Sequence, residues 1–200
     1  PSFSIRRRHT RYKDWSRGLG DVYKRQPVAT AKGQDISGGP RVAPDCTFET
    51  APAVDLLLIP GGFGTLPQLD NAAMLAFLQR ASEQARLVCS VCTGSVLLAR
   101  AGLLTGRRAT SNKLYFALAT MEAAKVEWVE NARWVEDGKF LTSSGVSAGM
   151  DMSLAVISQL FGEETAEQIA ISAEYTWHRD ADVDPFAQHL NEAARAMGLV

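Results

Sequence analysis

The tightest constraint on the fold lies between Leu87 and Gly102, where an apolar run of strand length becomes a helix with no room for a loop. Leu87, Val88, Cys89 and Val91 form a run too short for a helix of its own. Thr93 and Gly94 open the next element, Val96 to Ala101 continue it, and Gly102 is a helix stop. Small residues, Ser90 and Gly94, stand two before and two after Cys92. A strand-to-helix nucleophile elbow needs that spacing, because its tight backbone leaves no space for larger side chains. A sulfur at such a corner sits at a helix N-terminus, where free amides and the helix dipole favour thiolate. Cys92 is the expected nucleophile.

The remaining elements follow the same alternation. Val28–Ala31, Val54–Ile59 and Val126–Val129 read as strands, and Arg41–Ala43 and Thr47–Phe48 as short extended pieces on either side of Pro44-Asp45. Asn71 can cap a helix that carries Met74, Leu75, Leu78 and Ala81 at helical spacing. Lys113–Met121 reads as another helix. Asp137-Gly138 is a two-residue hairpin turn between Arg133–Glu136 and Phe140–Thr142. Ser147–Phe161 is a long apolar helix ended by Gly162, Glu163–Trp177 its amphipathic successor, and His189–Met197 a weak helix in a polar tail. Strands alternating with helices predict an α/β sandwich around a mostly parallel sheet, with ligands at the carboxyl ends of the strands. Two such ends stand out, Pro60-Gly-Gly-Phe-Gly64 and Ser90-Val-Cys-Thr-Gly94. The amides of Gly61, Gly62 and Thr93 are expected to form an oxyanion or anion hole beside the sulfur.

Composition sets the outer bounds. With 46% hydrophobic and 22% charged residues in 200, the chain has length for one real core. No apolar run approaches the ~20 residues that span a bilayer. Three cysteines argue against a disulfide scaffold and for a reducing cytoplasm. Cys89 and Cys92 have Cys-x-x-Cys spacing, but three extended steps separate their α-carbons by ~10 Å, beyond the ~7 Å limit of a disulfide. Cys89 therefore reads as a core residue and Cys46 as an incidental loop residue. His178 reads as the end of a helix, where a cation suits the dipole. Trp128, Trp134 and Trp177 read as packing residues. Three scattered histidines predict no metal site.

Charge is unevenly spread. Residues 1–26 hold eight Lys/Arg against two Asp/Glu, the rest thirteen against twenty. A basic arm or a transit peptide would show such a bias. Ser16–Gln26, however, looks like translated adapter sequence, and no apolar periodicity ties 1–26 to a core. Residues 1–26 are expected to be a non-native or disordered extension, 27–187 the α/β domain and 188–200 a tail.

Three motifs in order carry a resemblance. Leu57-Leu-Ile-Pro-Gly-Gly62, Ser90-Val-Cys-Thr-Gly-Ser95 with Ala101-Gly-Leu-Leu-Thr-Gly-Arg-Arg-Ala-Thr110, and Asp137-Gly-Lys-Phe-Leu-Thr-Ser-Ser-Gly-Val-Ser-Ala-Gly-Met-Asp151 resemble the ThiJ/PfpI family of the class I glutamine amidotransferase-like superfamily. The Cys-Thr-Gly elbow is most similar to isonitrile hydratases and to sensor domains fused to AraC-type regulators. The resemblance implies a flavodoxin-like fold, a homodimer, Cys92 as nucleophile, and Gly62 and Thr93 near the oxyanion site. In that family a first strand and helix precede the region beginning at Pro27 and carry an acid that faces the cysteine. Asp14 and Asp21 lack that context and inherit no role. Asn112 stands where many relatives place a histidine and cannot act as a base; with Ser144 it is a candidate pocket residue.

The expected activity is cofactor-free hydration of an isonitrile to an N-substituted formamide. The expected partner is a small-molecule substrate, with no nucleic acid and no membrane. The alternatives are a non-enzymatic redox- or ligand-sensing domain, in which Cys92 is oxidised and held by the same amides, and a truncated, inactive family member.

Overall fold

The computed structural model describes residues 45–198 and the backbone of Val28–Ala29. The expected extension over 1–26 lies outside the described residues. Val28–Ala29 (β1) pairs in parallel with Cys46–Thr47 (β2). Cys46 is thus a buried strand residue rather than a loop residue, closed in by a turn in which the Thr50 hydroxyl accepts the Thr47 N–H.

The central sheet has four strands in the order Leu56–Ile59 (β3), Leu87–Val91 (β4), Phe140–Ser143 (β8) and Trp134–Asp137 (β7). The β3–β4 and β4–β8 pairs are parallel, and β7–β8 is antiparallel across the turn at Gly138, where φ is +62°. The side-chain period of two explains the layering. On β4 and β8, Val88 and Phe140 point into one apolar cluster, with Leu78 of Ala72–Gln84 (α1) and Leu97 and Leu98 of Gly94–Arg100 (α2). Cys89 and Leu141, one residue on, point into a second cluster with Met152 and Val156 of Val146–Phe161 (α4). Helices therefore cover both faces of a mostly parallel sheet, as the α/β sandwich requires.

Asn71 caps α1 as expected, its side chain accepting the N–H groups of Ala73 and Met74. Arg108–Ala109 (β5) and Glu127–Trp128 (β6) form a small parallel pair, and Phe116–Glu122 (α3) lies between them in sequence. Gly162 (φ +95°) ends α4 and passes directly into Glu163–Ser172 (α5).

The amphipathic pattern to Trp177 overruns the real helix. α5 stops at Ser172, Glu174 turns left-handed (φ +50°), and the chain doubles back so that the Tyr175 hydroxyl and the His178 N–H both donate to Asp151. A buried carboxylate thus competes successfully with the local helical period. His178 consequently lies six residues beyond the helix, not at its end. The last described helix, Glu192–Ala196 (α6), packs back on the domain: Ala194 is fully buried, and the Asn191 side chain accepts the Ala117 N–H at 2.6 Å.

Candidate functional site

Cys92 sits between β4 and α2 with φ +59°, a left-handed conformation rare for a residue with a side chain. Its N–H donates to the carbonyls of Ser144 (2.8 Å) and Ser143 (3.1 Å). Its own carbonyl accepts the Ser95 and Ser111 hydroxyls at 3.1 and 3.3 Å. The corner is pinned from both sides, which is how a strained residue persists.

Two glycines let the backbones close around it. A Cβ on Gly61 would lie 2.6 Å from the Thr93 nitrogen and 2.8 Å from the Cys92 Cβ. A Cβ on Gly94 would overlap the Ile59 carbonyl oxygen. The end of β3 is therefore pressed directly against the elbow.

Thr93 is the hub of this contact. Its hydroxyl accepts the Gly62 N–H at 2.9 Å and the Thr65 hydroxyl at 3.2 Å. The Gly62 amide, expected to face a ligand, is thus committed to Thr93. Thr65, in the 3-10 turn Phe63–Gln68, was not singled out by the sequence. The Thr93 N–H and hydroxyl and the Asn112 side chain all hydrogen-bond the Cys92 sulfur and favour its thiolate, but burial outweighs them and pushes the thiol above its ordinary value. Among the described residues no carboxylate is among the groups acting on that sulfur. The thiolate expected from the helix end alone is therefore not favoured by this environment. Cys89 is buried among apolar side chains and its thiol is pushed up to about 12.

Asn112 is oriented by its neighbour. Its side-chain oxygen accepts the Tyr115 N–H at 3.1 Å, which leaves the amide nitrogen for the sulfur. Asn112 and Ser144 also line a cleft of about 360 Å³. Of the six residues singled out, five meet the elbow directly: Cys92, Thr93 and Gly61 in backbone contact, Asn112 on the sulfur, and Ser144 on the Cys92 N–H. Gly62 reaches it through Thr93.

Sequence reading missed the charged floor of the cleft. Arg133 pairs with Asp151 (2.6 Å) and Asp184 (3.5 Å), and Lys113 lies 3.9 Å from Asp184. All four side chains are at most 6% exposed. The Lys113 ammonium donates to the Thr110 hydroxyl and the Ala132 carbonyl, both at 2.7 Å, yet burial brings its pKa down to about 8. Asp184 Oδ2 is buried without a hydrogen-bond partner. The one signal available in the sequence was Asp151, a charge inside an otherwise apolar helix. No group of three or more His, Cys, Asp or Glu that could hold a metal occurs among the described residues.

Comparison with known proteins gives consistent relatives. The model of the DJ-1/PfpI family matches residues 22–159. The isonitrile hydratase of Pseudomonas putida is 39% identical over 140 residues, which are 70% of this chain and 60% of that enzyme. The HTH-type transcriptional regulator GbdR of Pseudomonas aeruginosa is 36% identical over 144 residues, 72% of this chain and 38% of the regulator. The chain thus spans less than two thirds of either relative. Among solved structures, a ThiJ/PfpI family protein from Pseudomonas syringae superposes with a TM-score of 0.66 at 35% identity, covering 80% of this chain and 64% of that one. Drosophila melanogaster DJ-1beta, at 19% identity, shares the fold (TM-score 0.63, 73% and 78% covered).

Proposed function

The chain belongs to the DJ-1/PfpI family, and on that premise we propose that it is a cysteine-dependent hydratase converting a small isonitrile to an N-substituted formamide. The observation that carries this reading is the strained, doubly pinned Cys92 with hydrogen-bond donors on its sulfur; the similarity to an isonitrile hydratase supplies the reaction class. The Cys92 thiolate adds to the terminal isonitrile carbon, and a proton delivered to that carbon gives a thioimidate. Water then adds, its oxygen to the same carbon and one of its protons to the nitrogen. The C–S bond breaks with its electron pair returning to sulfur, and the remaining O–H proton is released as the formamide carbonyl forms, replacing the one delivered to carbon. Thr93 and Asn112 stabilise the sulfur as charge leaves and returns. Gly61 and Gly62 serve by shape, seating Thr93 against the elbow. In this reading residues 27–187 are the working domain, acting without a cofactor, as a homodimer, in a reducing cytoplasm.

Cys92→Ser tests it. Formamide production from cyclohexyl isocyanide should fall to background, because a hydroxyl is almost wholly protonated at neutral pH. Equal turnover by wild type and C92S would end the hydratase reading. A sensor reading has its own support in the similarity to a transcriptional regulator. It requires no turnover, and a peroxide-induced gain of oxygen confined to the Cys92 peptide.

A further inference from the structure

The cleft beside the elbow has a composition that the reaction alone does not require. Cys92 does not itself line the cleft, which adjoins the elbow through two residues that do: Asn112 hydrogen-bonds the sulfur, and the Ser144 carbonyl accepts the Cys92 backbone N–H. Beyond them the walls are apolar. Val146, Met150 and Phe186 are 78%, 45% and 54% exposed and all line it. The floor is polar but neutral, since Arg133 and Lys113 are matched by Asp151 and Asp184 in buried pairs. A charged ligand group entering there would lose its hydration and meet no free counter-charge. At about 360 Å³ the cleft is near the small end of the ~300–1,000 Å³ range of ligand pockets. Phe186 and Asp184 lie outside residues 22–159, so this wall is contributed by chain beyond the family match.

We propose that this cleft receives an uncharged, apolar substituent of the substrate, and that Met150 and Phe186 set the size it accepts. The inference rests on the hydratase reading for the reacting end of the substrate. The cleft itself can be tested without it.

Methyl isocyanide, cyclohexyl isocyanide and isocyanoacetate are compared as substrates of wild type, Met150→Trp and Phe186→Ala. Wild type should favour cyclohexyl over methyl by ~10-fold or more in kcat/KM, the scale on which apolar pockets discriminate, and should use isocyanoacetate least. Each variant should shrink the cyclohexyl-to-methyl ratio by about threefold or more. Ratios unchanged in both variants would overturn the proposal, as would a preference for isocyanoacetate. If no isonitrile is turned over, the hydratase reading fails and binding decides the cleft. Titration of methyl-labelled wild type with N-cyclohexylformamide should then shift the Met150 methyl resonance saturably, and N-formylglycine should not. No saturable shift with the cyclohexyl compound, or an equal one with N-formylglycine, sinks the inference.

Discussion

At Cys92 two opposing influences act on one proton. Burial raises the thiol, while the Thr93 N–H, the Asn112 amide and the Thr93 hydroxyl lower it, and the net direction is upward. A raised thiol is mostly protonated at pH 7, so alkylation of Cys92 should accelerate as pH rises toward 9 and should not level off below pH 8. With limiting iodoacetamide and peptide mapping, Cys92 should still be labelled before Cys89, whose burial is nearly complete and whose thiol lies near 12. Asn112→Ala removes one donor and should slow Cys92 labelling at pH 7 by ~3- to 10-fold, as a hydrogen bond worth ~0.5–1.5 kcal/mol implies. A rate that is flat from pH 6 to 8, or unaffected by N112A, would contradict this balance. The elbow cysteine was legible from the small residues that flank it. Its acidity was not, because it depends on how deeply the folded chain buries it and on Asn112, twenty residues away.

Among the elements, those whose local signals agreed with their packing were the ones readable in the sequence. Asn71 caps α1, Gly138 turns the β7–β8 hairpin and Gly162 ends α4, each because a backbone position demands that residue type. The failures share one cause. The helical period continues past Ser172, but Asp151 draws Tyr175 and His178 into a non-helical path, a tertiary bond that no local pattern announces. The same reasoning explains why Gly62 does not keep an open amide: its partner, Thr93, is thirty-one residues on. The β4–α2 corner is the element most sensitive to a small change. Gly94→Ala would drive a methyl into the Ile59 carbonyl, which is backbone and cannot swing aside. It should destabilise the domain by at least ~1–3 kcal/mol in urea unfolding, the usual range for overpacking, and slow Cys92 alkylation as the elbow shifts. Gly106→Ala is a comparison of backbone strain alone, since Gly106 has a positive φ (+73°), which Gly94 lacks, and a Cβ there would meet nothing within 4 Å. If G106A proved the more harmful of the two, close approach would not be what requires Gly94.

At the scale of the molecule, the buried charges join regions distant in sequence. Arg133 opens the hairpin, Asp151 lies in α4 and Asp184 in the segment that returns over the site. Lys113 adds a fastening, because its carbonyl accepts the Asn191 N–H at 2.8 Å and the next residue's carbonyl accepts the Ala194 N–H. Its ammonium is the costly member of the group, since burial lowers its pKa to about 8 from the ordinary ~10.4. Between those values the unfolded chain keeps the proton that the folded chain has released. Stability must therefore rise with pH across that window, and the burden of the charged form is fully present only below about pH 8. Each tenfold difference in proton affinity is worth ~1.4 kcal/mol. Lys113→Met keeps the buried stem but has no proton to lose. The stability of wild type relative to K113M, from urea unfolding at pH 7 and again at pH 9.5, should therefore increase by between one and two multiples of that ~1.4 kcal/mol. The Cys89 and Cys92 thiols, both raised, act in the opposite direction at the alkaline end. They are present in both proteins and cancel in the difference. A gap that narrows between pH 7 and pH 9.5 would mean that Lys113 is instead held as a stabilised ammonium, its charge balanced by Asp184 more strongly than burial opposes it.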